Sequence, residues 1–328
     1  MRDLALIDLS VCIVSWNTKP LLRRCLQSIG EGVNGISYEI FVVDNASKDG
    51  SAEMVRTDFP EVHLIVNSEN RGFASANNQA LRVAGGRHVI LLNPDTVTHR
   101  GALLTMVRFM DDHSEAGAIG CRLLNADGSI QHSTRKILTF STALYENTLL
   151  GKFVYFRKKV KDYKMKHISF DRVEEVDVTS GAALMIRKSL LDEIGLMDEG
   201  YFMFLEEMDL CRRIWTEGYK IYVVPEAVIT HLGGESRRQN LEIGLTIQRS
   251  LMRYLTKFEG PGKTRLFKLL YKPLFIISIL YELISDLLHV LKYRTIRKDP
   301  LRQRKRMVRV QGTFYFFRKN LKDFLFDL

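Results

Sequence analysis

The chain has 328 residues, 46% of them hydrophobic, a composition that fits a globular protein with one large α/β domain and an appendage. Its formal net charge of +10 is uneven: Lys263 to Leu328 carry 16 Lys/Arg against 5 Asp/Glu, so the first 262 residues sum to −1. Four scattered cysteines (Cys12, Cys25, Cys121, Cys211) form no CxxC pair, which argues against a zinc site and a disulfide framework and for a reducing compartment. The first apolar stretch, Val11 to Trp16, is too short for a signal peptide and lacks a cleavage pattern, so none is expected.

Strand-like runs at Val11–Trp16, Tyr38–Asp44, Val62–Val66 and His88–Leu92 alternate with helix-like runs at Pro20–Ile29, Ser51–Thr57 and Ala74–Ala84. Such alternation predicts right-handed βαβ units and a mostly parallel central sheet flanked by helices. Gly101–Asp112 reads as a further helix, Gly117–Leu123 as a strand, and Asn125-Ala126-Asp127-Gly128 as a turn. Gln131 to Phe170 is irregular. It mixes Lys152, Arg157, Lys158, Lys159, Lys161, Lys164 and Lys166 with aromatic residues, as either a solvated helix face or a loop gripping a phosphate-bearing acceptor. Strands are expected again at Val173–Thr179, Ala182–Ile186, Lys220–Val224 and Val228–His231, with helices at Glu206–Thr216 and Asn240–Phe258.

Several of these ends carry polar groups suited to chemistry. Pro94 cannot extend the strand His88–Leu92, so the chain leaves the sheet there and presents Asp95 at the C-terminal edge, where ligands bind in open α/β sheets. A carboxylate so placed suits a hard cation on a diphosphate, or else a turn that opens a helix. Asp44 stands at another strand end, where it can accept from a base N–H or a ribose. Gly72 permits a tight turn into a helix whose N-terminus favours anions. Asn77 and Asn78 lie farther in, and one of them is expected to pin the strand bearing Asp95. Glu206, Glu207 and Asp209 crowd the start of a helix, either simply stabilised by its dipole or supplying a general base. His231 ends a strand before Gly233 and Gly234 and can offer a nitrogen ligand to a cation at Asp95.

The tail differs. Leu274–Leu291 is mostly apolar and nearly long enough to span a bilayer, but Ser278, Glu282, Ser285, Asp286 and His289 recur on one helical face. Carboxylates in mid-span would be costly, so the expectation is an amphipathic helix in the membrane interface, or a helical hairpin packed on the body. Arg294, Arg297, Lys298, Arg302, Arg304, Lys305, Arg306 and Arg309 follow, a run that attracts anionic headgroups. No nucleic-acid motif accompanies the charge, so nucleic acid is not an expected partner.

Taken in order, Val14-Ser15-Trp16-Asn17, Val43-Asp44-Asn45-Ala46-Ser47, Asn70-Arg71-Gly72-Phe73, Ala76-Asn77-Asn78, Leu92-Asn93-Pro94-Asp95, Ser180-Gly181-Ala182, Glu206-Glu207 with Asp209-Leu210-Cys211-Arg212, and His231-Leu232-Gly233-Gly234 resemble the inverting glycosyltransferases of family 2. Within that family the chain is most similar to the bacterial rhamnosyltransferase branch that builds cell-surface polysaccharide. The resemblance covers about residues 9 to 256. It implies a GT-A (Rossmann-like) domain over 1–260, with a nucleotide-binding half at about 9–123 and an acceptor half at about 124–260; the charge and spacing of 261–328 add a basic amphipathic helical membrane-associating tail.

The same resemblance implies roles. Trp16 and Asp44 would hold the nucleobase and Asn17 the ribose, with Asn70, Gly72, Asn77 and Asn93 around the donor nucleotide. Asp95, aided by His231, would bind Mg²⁺ or Mn²⁺. Glu207 stands at the general-base position, with Glu206 or Asp209 orienting it or meeting the acceptor, and Gly181 and Ala182 near the sugar. Two departures stand out: Asn93 replaces the usual first aspartate of the metal motif, and Glu207 an aspartate at the base position. The implied reaction moves a sugar, foremost L-rhamnose from dTDP-L-rhamnose, to a polyprenyl-diphosphate-linked or polysaccharide acceptor at the cytoplasmic face of the membrane. Alternatives are another donor sugar (galactose, galactofuranose, glucose or N-acetylhexosamine) or a non-catalytic glycan- or lipid-binding homologue. A nucleotidyltransferase fits less well, because Ser15-Trp16-Asn17-Thr18 is not a glycine-rich basic loop.

Overall fold

The computed structural model describes residues 7–233, 243–295 and 300–328. Gly234, Asn240, Arg297 and Lys298, which figured in the expectations above, lie outside them. The chain divides into two compact units, one of Met1–Ile137 with Asp162–Asn240, the other of Leu138–Lys161 with Leu241–Leu328.

The first unit is built on a mixed sheet. Its elements run β1 (Leu9–Ser15), α1 (Lys19–Gly32), β2 (Tyr38–Asp44), α2 (Ser51–Asp58), β3 (His63–Val66), α3 (Phe73–Leu81), β4 (His88–Leu92), β5 (Thr96–Thr98), α4 (Ala102–Asp112) and β6 (Ala116–Leu124). After residue 162 come β7 (Glu174–Glu175), β8 (Ala183–Arg187), α7 (Lys188–Ile194), α8 (Glu206–Thr216) and β9 (Lys220–His231). The sheet order is β3-β2-β1-β4-β8-β6-β9-β5, with β7 on β9. The first four strands are parallel, as the βαβ alternation predicts, and β1 and β4 are buried throughout, as a sheet covered on both faces requires. β8 then runs antiparallel to both β4 and β6, while β6 and β9 are parallel again.

This topology brings functional ends together. β1, β2 and β4 finish on one edge, with Ser15 in register with Asp44. Because β8 is reversed, its start lies there too, Ala183 opposite Leu92. β9 ends at the same edge, and β5 begins there, with Thr96 paired to His231.

Two strand expectations change. Val173–Thr179 yields only Glu174–Glu175 on β9, because the chain then turns to Arg135: Val178 exchanges two backbone hydrogen bonds with it, and the Asp177 carboxylate accepts the Ile137 N–H. Conversely, the two runs around Pro225 form one strand. Proline has no N–H to donate, so the ladder to β6 skips from Val224 to Val228 and continues. All four cysteines are free and buried, and burial pushes their thiols up to about 12.

The second unit is helical. It contains α5 (Phe140–Glu146), a 3₁₀ turn (Leu149–Lys152), α6 (Val154–Tyr163), α9 (Ile243–Glu259), α10 (Pro261–Thr295), α11 (Pro300–Tyr315), a π turn (Phe316–Asn320) and α12 (Leu321–Phe326). The basic stretch of the irregular region is thus largely the exposed helix α6. Its core includes Tyr254, Phe267, Tyr271 and Phe324, with Phe267 stacked on Tyr271. The polar stripe expected on the tail helix exists, with Ser278 and Asp286 buried and Glu282 exposed at its margin. Ser278 Oγ accepts the Leu149 N–H, Lys152 pairs with Glu282, and Arg306 of α11 pairs with the buried Asp286.

Candidate active site

At the nucleotide-type edge, β1 delivers Trp16 and β2 delivers Asp44 and Asn45. Asp44 is buried; its Oδ2 accepts the Ser47 N–H, while its buried Oδ1 has no partner. Asn17 adopts φ 53°, a conformation asparagine tolerates. Its Oδ1 accepts the Lys48 N–H at 2.7 Å and its own N–H donates to Ser47 Oγ, tying the two loops together.

Asn45 is the hub that sequence reasoning missed. Its Oδ1 accepts from Asn67 Nδ2 and the Arg71 N–H, and its Nδ2 donates to Asn70 Oδ1 and the Gly72 carbonyl. Asn67 and Gln79 exchange two further amide bonds. This satisfied network holds the turn that Gly72 makes at φ 80°. A Cβ at Gly72 would lie 2.4 Å from the Phe202 carbonyl oxygen, which already accepts the Phe73 N–H at 2.7 Å. Gly72→Ala should therefore cost about 2–3 kcal/mol through strain and overpacking, readable as a lowered denaturation midpoint in urea.

Asn77 and Asn78 behave differently from expectation. Asn77 back-bonds to the Phe73 carbonyl inside α3. Asn78 exchanges hydrogen bonds with the Met197 backbone and donates to Glu199, so it pins the 197–199 segment rather than the strand bearing Asp95.

At the exit of β4, the Asn93 N–H donates to the Ala182 carbonyl, and the Asn93 carbonyl accepts from Thr96. Pairing of β5 with β9 sets Asp95 Oδ1 3.3 Å from His231 Nε2, and the Leu232 N–H donates to the Asp95 carbonyl. Gln131 fixes the ring. Its Nε2 donates to Asn125 Oδ1 and the His231 carbonyl, so its Oε1 accepts from His231 Nδ1, at 2.6 Å. With Nδ1 donating to Gln131, Nε2 is the ring nitrogen that faces the Asp95 carboxylate, and as an acceptor it would share a cation with that oxygen. Two acceptors converging in this way fit a divalent cation. Among the described residues no cluster of three or more His, Cys, Asp or Glu forms, so this pair would hold a cation only together with ligand or water oxygens.

The acidic helix start completes the arrangement. Phe204 and Leu205 both have positive φ, 72° and 69°, a strain of roughly 1–3 kcal/mol each that turns the chain abruptly into α8. Glu206 is 5% exposed with Oε2 unpartnered; burial pushes its carboxyl well above the usual range, and the adjacent Glu207 adds to the shift. Glu207 packs against Gly181, where a Cβ would come within 3.4 Å of its own Cβ. Asp209 is fully buried elsewhere. It accepts from Tyr201 Oη and Arg213 Nε, and Arg213 in turn donates to the carbonyls of Ile194, Gly195 and Leu196.

These parts surround one cavity of about 520 Å³ within the first unit. Trp16, Asn70, Gly72, Asn93, Asp95, Gly181, Ala182, Glu206, Glu207 and His231 line it; Asn17, Asp44, Asn77 and Asp209 do not. Asn45, Gln131, His132, Arg135 and Phe204 also line it without having been singled out. The only advance signal for Asn45 was its place beside Asp44 at a strand end. The others sit in stretches without periodicity.

Known proteins were compared with this chain. It is 26% identical over 234 residues to the N-acetylglucosaminyl-diphospho-decaprenol L-rhamnosyltransferase of Mycobacterium tuberculosis, an overlap of 68% of this chain and 75% of that protein. It is 25% identical over 237 residues to rhamnosyltransferase WbbL of Escherichia coli, covering 70% and 84%. Its fold matches that of the mannosyltransferase PcManGT from Pyrobaculum calidifontis, solved with GDP-Man and Mn2+, at a TM-score of 0.54 and 16% identity, over 96% of this chain and 87% of that one. The sequence profile of Glycosyl transferase family 2 matches residues 10–195, from β1 through α7. That match spans more than half of the chain, which therefore belongs to glycosyl transferase family 2 and is a glycosyltransferase.

Proposed function

We propose that this enzyme transfers L-rhamnose from dTDP-L-rhamnose to a hydroxyl of a polyprenyl-diphosphate-linked or polysaccharide acceptor, with inversion at the anomeric carbon. The observation that carries the reading is that the Asp95–His231 pair and Glu207 line the same cavity as Trp16 and Asn70. The rhamnosyltransferases that the chain resembles, one of them named for a decaprenol-diphosphate acceptor, support the choice of donor and acceptor.

In this reading Trp16 packs on the base and the orphaned Asp44 oxygen accepts its N–H or a ribose hydroxyl. Asn70 and Gly72 border the nucleotide. Asp95 and His231 hold Mg²⁺ or Mn²⁺, which supplies positive charge against the diphosphate leaving group. Glu207 takes the acceptor hydroxyl proton as the oxygen bonds to the anomeric carbon. The bond from that carbon to the diphosphate oxygen breaks, and the electron pair leaves with the nucleoside diphosphate. Glu206, neutral in its buried position, leaves the negative charge of the pair to Glu207. Asn93 contributes an uncharged wall where the family pattern has an aspartate. Asp209 and Asn17 act as braces for the site. A lipid-linked acceptor places the reaction at the cytoplasmic membrane surface, with the basic tail as the peripheral anchor.

The test is transfer by the purified full chain from a panel of nucleotide sugars to a polyprenyl-diphosphate sugar, with and without EDTA. Transfer from dTDP-L-rhamnose, lost in EDTA and restored by Mn²⁺ or Mg²⁺, is the expected result. Use of a different donor overturns the choice of sugar, and EDTA-resistant transfer overturns the metal site.

A further inference from the structure

The tail helix α10 buries Phe267, Tyr271 and Val290 but leaves a second apolar stripe uncovered. Residues at positions 266, 269, 270, 277, 280, 281, 284, 287, 288 and 291 recur at three- and four-residue intervals, all Leu, Ile or Tyr and all exposed. The opposite stripe carries the polar groups, and each has a partner within the second unit. Ser278 is held by Leu149, Glu282 by Lys152, Asp286 by Arg306, and His289 Nδ1 by the Ser285 carbonyl. A surface helix in water keeps its apolar stripe inward; this one buries Asp286 and turns a continuous apolar stripe outward, the kind of surface that marks an interaction site. The helix is also long and apolar enough to cross a membrane.

We infer that this outward stripe of α10 embeds in the acyl layer of one leaflet of an anionic bilayer, with the helix lying in the plane of the membrane. The charge around it selects the lipid: Arg265, Lys292, Arg294, Arg302, Arg304 and Arg309 are exposed at the ends of α10 and on α11. The ion pairs decide depth. Lys152–Glu282 and Arg306–Asp286 lie along the other side of the helix, where a spanning orientation would carry them into the hydrocarbon core. This deepens the membrane-location part of the reading above and is independent of its chemistry.

Flotation of the full chain with phosphatidylcholine vesicles, with and without phosphatidylglycerol, tests it. The wild type should float with the anionic vesicles. The combined variant Leu269→Glu, Ile284→Glu and Leu288→Glu should partition at least tenfold less while retaining transfer to a short-chain, water-soluble acceptor. Equal flotation of the variant overturns the inference. So does a wild type that stays at the bottom of the gradient as a dimer while the variant is monomeric, since a second copy then covers the stripe. Labelling of α10 residues from both sides of sealed vesicles overturns the in-plane placement. Absence of transfer by both proteins, with the wild type floating and the variant not, counts against the proposed reaction only.

Discussion

Glu207→Gln will lower kcat by about 10³-fold, the usual range for a lost general base, with little change in KM for the donor. Glu206→Gln, one residue away, will keep kcat within a few-fold. The difference comes from environment. Glu206 is buried with an unpartnered oxygen, and burial, then Glu207, raises its carboxyl well above the ordinary range, which favours its neutral form. An amide of the same shape replaces a neutral acid at small cost. Glu207, against Gly181 in the cavity wall, is the carboxylate left to accept a proton. Should Glu206→Gln be the dead variant and Glu207→Gln the active one, the roles are reversed.

Stability separates the two residues a second time. The native state keeps the Glu206 proton that the unfolded chain releases near the ordinary glutamate pKa. Its contribution is therefore complete below that pKa and declines as pH rises toward the elevated native value, by up to about 1.4 kcal/mol per pH unit. Denaturant unfolding of the wild type should show this decline from mildly acidic pH upward. In Glu206→Gln the slope should vanish.

Asp95→Asn should abolish divalent-cation binding and reduce transfer by about 10³-fold, because in the proposed reaction several kcal/mol of leaving-group stabilisation would depend on a cation held by Asp95. Gln131→Leu probes the same centre indirectly. It removes the acceptor that fixes the Nδ1–H tautomer of His231, so Mn²⁺ affinity should fall by about 10- to 100-fold while the fold is kept. Titration of Mn²⁺ by electron paramagnetic resonance, with nucleoside diphosphate present and no turnover, reads both effects apart from activity. Unchanged Mn²⁺ affinity in both variants would remove Asp95 and His231 from the proposed metal site.

Much of the parallel part of the sheet was legible before the structure. Continuous apolar runs such as Val89-Ile90-Leu91-Leu92 encode a doubly covered strand, and Pro94 marks where it must end, so Asp95 could be placed at the sheet edge from local rules alone. Asp44 followed in the same way from β2. The remaining site was not legible because it depends on pairings between distant segments. Asp95 and His231 meet only through the antiparallel pairing of β5 and β9, and Gln131 reaches His231 from a turn with no periodic pattern. Glu206 and Asp209 look alike as carboxylates at a helix start, yet one lines the cavity with a free oxygen and the other is clamped by Arg213.

The tail makes the same division. Composition and spacing alone established the polar and apolar stripes of α10, since both follow from the 3.6-residue period of any helix. Which of its polar groups are buried was decided by Leu149 and Arg306, brought from elsewhere in the second unit to Ser278 and Asp286. Local sequence sets what a segment can bury or bond. The partners that complete each buried polar group come from elsewhere in the chain, so only the tertiary structure determines whether a carboxylate becomes a brace, a neutral wall or a reactive base.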